Sequence, residues 1–229
     1  MRILLTGGTG FIGYNLVPVL QENRHEVICL VRETSNLSWL NSIGNVEYRY
    51  GDISVPDTLS SIVSDADCII HMAGIVATVR NADFFRINHT GTRNLITAAK
   101  RHNPDLSKFI LVSSLSAAGP STPEQPKTEA MPDYPVSAYG ESKLAAEQAV
   151  LEYQGDFGVV IVRPPIVYGP KDVGVQGFFR LAQQGWRIRF PWKNLLLSLV
   201  YVEDMARALT TLVTADIPSG ALYYVSDPT

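Results

Sequence analysis

Tyr139 and Lys143 stand four residues apart in Tyr139-Gly140-Glu141-Ser142-Lys143, a spacing that puts both side chains on one face of a helix. A free tyrosine has a pKa of about 10, too high for a general base at neutral pH. A cation one turn away favours the phenolate and moves that pKa toward the working range of an acid–base group. The pair alone is commonplace on surface helices; a third group gives it chemical meaning. Ser114 follows the apolar run from Lys108 to Ser113, and a hydroxyl at that point can hydrogen-bond a substrate oxygen. Ligands of open α/β sheets sit at the C-terminal ends of strands. Ser113 is the alternative for the same role.

A second constellation opens the chain: Thr6-Gly7-Gly8-Thr9-Gly10-Phe11-Ile12-Gly13. It follows a short apolar strand and leads into a helical pattern. Glycine lacks a Cβ, so the backbone can turn sharply and approach a pyrophosphate closely. The helix N-terminus then offers free N–H groups and a positive dipole end. Gly7, Thr9, Gly10, Phe11, Ile12 and Gly13 are therefore the candidate dinucleotide-binding residues. At the end of the second strand, a carboxylate would bind a ribose 2′-OH and mark NAD(H). Val31-Arg32 stands there instead. Arg32 can meet a 2′-phosphate bidentately and stack on adenine, so NADP(H) is favoured and NAD(H) is kept as the second cofactor. The other reading of Arg32 is a solvated surface arginine. Asp52-Ile53 can touch adenine through the carboxylate and the following N–H, or Asp52 can simply cap a turn.

These residues need a scaffold. Apolar periodicity predicts strands over 3–5, 27–31, 46–50, 68–71, 108–113 and 157–162. It predicts helices over 11–21, 56–63, 84–102 and 139–153, with a kink or a cost at Pro18. Residues 119–137, rich in Pro, Ser and Thr, read as a loop. Strand–helix alternation at this rhythm implies right-handed crossovers and a parallel sheet covered on both faces. The fold class is α/β: a Rossmann-type doubly wound parallel sheet over 1–163, with a small substrate lobe over 164–229 interleaved with the last strands. Because Tyr223 to Ser226 reads as a strand followed only by a loop opening, a C-terminal segment of that lobe is expected to be missing.

Composition narrows the function. The chain has 229 residues, 46% of them hydrophobic and 18% charged, with a formal net charge of -3. Few charges and many apolar runs suit strands buried on both faces. The absence of a basic run speaks against nucleic acid and anionic membrane surfaces as partners. No apolar run approaches the roughly 18 residues of a membrane span, and no signal peptide is visible, so a cytoplasmic location is expected. Cys29 and Cys68 lie in apolar runs and read as core residues. His25, His71, His89 and His102 are scattered without metal-ligand spacing and are assigned structural or surface roles. Asp65 and Asp67 read as solvated turn groups, and Trp186, Phe190 and Trp192 either line a substrate pocket or pack the lobe. There is no Gly-x-Ser-x-Gly elbow, so a hydrolase would lack its nucleophile.

Taken in order, these segments resemble the extended short-chain dehydrogenase/reductase family, the NAD-dependent epimerase/dehydratase group. Further carriers of the resemblance are Gly51-Asp52-Ile53, His71-Met72-Ala73-Gly74, Asn88-His89-Thr90-Gly91-Thr92, Val112-Ser113-Ser114, Arg163 to Pro170 and Tyr201 to Ala206. The resemblance implies that Tyr139 is the acid–base, that Lys143 lowers its pKa and holds the cofactor ribose, and that Ser114 orients the substrate. It implies that Ala73 and Gly74 line the cofactor channel, that Pro164 and Ile166 lie near the nicotinamide, and that Asn88 is mostly structural. It also implies a homodimer formed through helices 84–102 and 139–153. Two departures stand out: the family often has Asp where Val31-Arg32 stands, and its members continue well past the last strand here.

The leading functional reading is a reductase or dehydrogenase acting on a carbonyl or alcohol. The look of Arg32 and of Val112 to Pro120, similar to dihydroflavonol-reductase-like and 3-beta-hydroxysteroid-dehydrogenase-like members, supports it. The alternative is a nucleotide-sugar epimerase with NAD retained. Dehydratases of the family tend to place Asp-Glu after the hydroxyl residue; Leu115-Ser116 follow Ser114 here. A non-catalytic dinucleotide sensor is the third reading, and the Tyr139–Lys143 pair argues against it.

Overall fold

The computed structural model describes residues 1–172, 174, 176–186 and 197–227. Phe190 and Trp192 lie outside the described residues, and Trp186 is exposed. The first half runs β1 (Arg2–Thr6), α1 (Phe11–Glu22), β2 (Glu26–Val31), α2 (Ser38–Ile43), β3 (Val46–Tyr50), α3 (Ser60–Val63), β4 (Cys68–His71), α4 (Asn81–Phe84) and α5 (Gly91–His102). The second half runs β5 (Lys108–Val112), α6 (Ala138–Leu151), β6 (Gly158–Arg163), β7 (Ile166–Tyr168), α7 (Gln176–Gln183), β8 (Leu199–Tyr201), α8 (Val202–Thr214) and β9 (Ala221–Tyr224).

Seven strands form one sheet in the order β3-β2-β1-β4-β5-β6-β9, every neighbouring pair parallel. The order reverses between β1 and β4, the switch point at which open α/β sheets bind ligands. β7 and β8 pair in a separate small parallel sheet.

The inner strands of the large sheet are buried on both faces, while the edge strands β3 and β9 are only partly covered; alternate residues of each strand point to opposite sides. Ile3 and Leu5 face a core built with Leu16, Val17 and Leu20 of α1 and Met205, Leu209 and Val213 of α8. Leu4 faces the other core, with Ile62 of α3, Leu95, Ile96 and Ala99 of α5, and Ala146 and Val150 of α6. Cys29 and Cys68 are fully buried in the sheet. Among the described residues no helix is long and apolar enough to cross a membrane.

Several local readings change. The helix expected over 84–102 is α4, then a π-helical turn over Phe85–Thr90, then α5; such turns interrupt helices where side chains need unusual placement. Residues 38–43, too short and weakly patterned to stand out, form α2, which buries Leu40. α1 runs unbroken through Pro18. Asp65 is an ion-pair partner of Arg49 and Arg2, and the Asp67 carboxylate accepts from the Arg2 amide, so neither is a merely solvated turn group.

Candidate active site

The glycine turn between β1 and α1 is held against the end of β4. Gly7 has φ +74, and a Cβ there would lie 2.8 Å from the Ala73 nitrogen. A Cβ on Gly13 would lie 2.3 Å from the Gly8 carbonyl oxygen, so the first turn of α1 packs directly on the loop. The Gly10 amide donates to the Gly7 carbonyl at 2.9 Å. Gly10 is also the N-cap of α1, and it brings no side chain to occupy the first-turn amides. The result is a cradle of bare backbone at a helix N-terminus, which suits a pyrophosphate.

A cleft of about 350 Å³ opens from this cradle. Of the residues expected to hold a dinucleotide, Gly7, Thr9, Gly10, Arg32, Asp52, Ile53, Ala73 and Gly74 line it. Phe11, Ile12 and Gly13 sit behind it in the first turn of α1. Pro164, which is buried, and Ile166, exposed on β7, are not in its lining. Arg32 stands at one end, exposed, its amide donating to the Ser35 hydroxyl at 2.9 Å. Asp52 carries a carboxyl below its ordinary value. Burial pushes it up, but bonds from the Ser54 hydroxyl and amide, with Arg32 and Arg86 nearby, outweigh that.

Arg86, Ser35 and Ser54 also line the cleft and were not foreseen. Arg86 belongs to the π-helical turn and is braced by Asp83 at 3.1 Å. No sequence pattern marks it, since a π-helical turn leaves no trace in the helical periodicity.

The candidate reaction residues Ser114, Tyr139 and Lys143 are not in that lining; Asn88 links its Gly74 wall to the helix that carries the last two. A Cβ on Gly74 would touch the Asn88 side-chain oxygen at 2.9 Å. The Asn88 Nδ2 donates to the Ser142 hydroxyl of α6 at 3.0 Å. On that same helix, capped by the Ser137 hydroxyl, stand Tyr139 and Lys143. The Tyr139 ring packs on Phe84, centroids 5.7 Å apart. Burial raises its phenol above the ordinary value, and a hydrogen bond with Ser114 pulls it part of the way back; the lowering expected from Lys143 is not seen. Ser114 also accepts from the Ser116 amide at 3.1 Å. Lys143 is buried, its Nζ donating to the Val112 carbonyl at 2.8 Å. Burial brings that amine down to about 8, against an upward pull from Glu147. Ser113 is elsewhere engaged: its hydroxyl donates to Glu147.

Glu147 in turn is paired with buried Arg163, which also forks onto Asp133 at 2.6 and 2.7 Å. These ties join β5, β6, α6 and the loop over 119–137, and none was visible in the sequence. Among the described residues no group of three His, Cys, Asp or Glu could hold a metal ion.

A seven-stranded doubly wound sheet with a bare glycine cradle at its switch point defines a dinucleotide-binding α/β protein. Residues 3–225 match the NAD dependent epimerase/dehydratase family, and the chain belongs to it. Ceramide reductase of Caulobacter vibrioides is 32% identical over 207 residues, covering 90% of this chain and 59% of that protein. CDP-paratose 2-epimerase of Salmonella typhi is 31% identical over 215 residues, covering 81% of this chain and 61% of that one. The chain thus spans about three fifths of the length of these relatives. The NAD complex of UDP-glucose 4-epimerase from Thermus thermophilus shares the fold, with a TM-score of 0.83 at 24% identity, covering 99% of this chain and 78% of the other.

Proposed function

We propose that this chain is the cofactor-binding and catalytic part of an NADP(H)-dependent oxidoreductase, with NAD(H) as a weaker alternative, interconverting a carbonyl and an alcohol. The observation that carries this reading is the Tyr139 phenol. It is hydrogen-bonded to Ser114, on a helix one contact beyond the cleft wall, with buried Lys143 one turn away.

The bare backbone of Gly7, Gly10 and Gly13 suits a pyrophosphate, and Arg32 with Ser35 suits a 2′-phosphate. When bound, the nicotinamide supplies or accepts the hydride. The rest falls to side chains. Ser114 hydrogen-bonds the substrate oxygen and holds it beside the phenol. Tyr139, raised by burial, is protonated at neutral pH and gives its proton to the oxygen as a carbonyl becomes an alcohol. The ammonium of Lys143 would stabilise the phenolate left behind and would hold the cofactor ribose. Similarity to a ceramide reductase supports reduction as the net reaction.

A nucleotide-sugar epimerase is the second reading, favoured by similarity to CDP-paratose 2-epimerase. One assay separates the two. The protein is mixed with NADPH or NADH and a panel of carbonyls, or with NAD and UDP- or CDP-sugars, and reduced-nicotinamide absorbance and sugar products are followed. Net oxidation of NADPH by a carbonyl is expected. Sugar interconversion without net cofactor change would replace the reductase reading, and dinucleotide binding with no turnover of any kind would leave only a sensor.

A further inference from the structure

A chain of buried polar groups runs from the glycine turn to the helix of Tyr139. Thr6, His71, Asn88, Thr92 and Ser142 are each at most 1% exposed. The Ala73 amide donates to the Thr6 hydroxyl at 3.1 Å. Thr6 Oγ1 lies 2.5 Å from His71 Nδ1, and His71 Nε2 lies 2.8 Å from Thr92 Oγ1. The Thr92 hydroxyl donates to the Asn88 carbonyl at 2.5 Å.

That last bond fixes the direction of all the others. A carbonyl only accepts, so the single Thr92 proton is spent on Asn88. Thr92 must then accept from His71 Nε2–H. Burial, with Lys143 nearby, brings the imidazole down to about 3, so the ring is neutral and Nδ1 carries no proton. Nδ1 therefore accepts from the Thr6 hydroxyl, which in turn accepts from Ala73. The side chain of Asn88 continues the path. Its Oδ1 accepts from the Ile75 amide at 2.8 Å and its Nδ2 donates to the Ile75 carbonyl at 3.0 Å, so its orientation is set by the backbone. Nδ2 also donates to Ser142, whose hydroxyl donates to the Tyr139 carbonyl at 2.7 Å. One end of the chain thus holds the backbone that packs on Gly7, and the other holds the backbone of Tyr139.

We propose that His71 is a positioning residue that couples the grip of the glycine turn on a dinucleotide to the placement of Tyr139, through Thr6, Thr92, Asn88 and Ser142. The proposal rests on the cofactor reading above. A merely structural histidine would not link the two ends energetically.

Thr92 and Ser142 lie outside the cleft lining, so the test is made there, by calorimetric titration of the full chain with NADPH. Thr92→Val cuts the relay at its centre and should weaken NADPH about fivefold, and Ser142→Ala about threefold. The double variant should be no weaker than Thr92→Val alone, because both cut one path. Thr92→Ser keeps the hydroxyl and should restore wild-type affinity. If Thr92→Val does not fold, His71→Asn, which keeps an acceptor toward Thr6 and loses the donor toward Thr92, takes its place in the cycle. The proposal is overturned if the single variants lower Tm with NADPH affinity unchanged, or if the two losses multiply in the double variant. Failure of the wild-type chain to bind either NADPH or NADH removes the cofactor reading itself, and this proposal with it. Binding with multiplied losses removes this proposal alone.

Discussion

The Nζ of Lys143 donates to the carbonyl of Val112, the last residue of β5, at 2.8 Å. The ammonium one turn from Tyr139 is therefore anchored to the sheet two residues before Ser114. Serine, tyrosine and lysine come from separate stretches of chain, yet the sheet sets the spacing of all three. A displacement of β5 would move the hydroxyl and the ammonium together.

Tyr139→Phe keeps the ring on Phe84 and deletes only the phenolic oxygen. Turnover should fall by about a thousandfold, the range set by loss of a positioned acid–base group, while NADPH affinity stays within about threefold of wild type. Steady-state assay and calorimetry together check this. Activity close to wild type would remove Tyr139 from the mechanism.

Arg32 is the one charged group at the expected ribose-phosphate end that the sequence singled out. Arg32→Ala should weaken NADPH about tenfold or more, as expected for loss of a charge-assisted contact, and NADH much less. Equal losses for both would mean that Arg32 does not read the 2′-phosphate.

Lys143 makes stability depend on pH in a definite direction. Its pKa is about 8 in the folded chain, against an ordinary value of 10.5. Between those values the unfolded chain holds a proton that the folded chain has released. Lys143 thus adds stability as pH rises from 8 to 10.5, and withdraws it as pH falls back through 8. The buried thiols and tyrosines titrate in the same alkaline region, so the reading is a difference between wild type and Lys143→Met. That difference in urea unfolding free energy should climb from pH 8 to 10.5 and be level below 8. A difference that stays level throughout would place the ammonium in a solvated setting.

Arg163 is 1% exposed and Glu147 is 2% exposed, so each depends on the other. Arg163→Met strands a buried carboxylate and should cost about 3–5 kcal/mol in urea unfolding. Replacing both, as Arg163→Met with Glu147→Leu, should recover a large part of that loss, since an apolar pair of similar volume has no charge to desolvate. A double variant as unstable as Arg163→Met alone would show that the lost packing, not the unpaired charge, sets the cost.

Much of the scaffold can be read from the chain because its causes are local. Apolar runs bounded by turns mark β1, β2, β4, β5 and β6, and the glycine turn marks the cradle between β1 and α1. The Tyr139–Lys143 spacing is likewise local. What escapes has causes distant in sequence. Arg86 lies in a π-helical turn and lines the cleft, and a π-helical turn leaves no mark in the 3.6-residue pattern of the sequence. Glu147, Arg163 and Asp133 come from three separate segments and look like ordinary charges in isolation. The network around His71 is equally hidden, because its partners Thr6 and Thr92 lie far along the chain and carry no charge.

The two cysteines in the sheet have a practical consequence. Cys29 and Cys68 are 0% exposed, and burial pushes each thiol up to about 12. Maleimides and disulfide reagents attack thiolates, so the native chain should stay unlabelled while every opening of the parallel sheet is scored by mass. The protein thereby carries its own clock for breathing, one thiol on β2 and one on β4, and a bound dinucleotide should slow both.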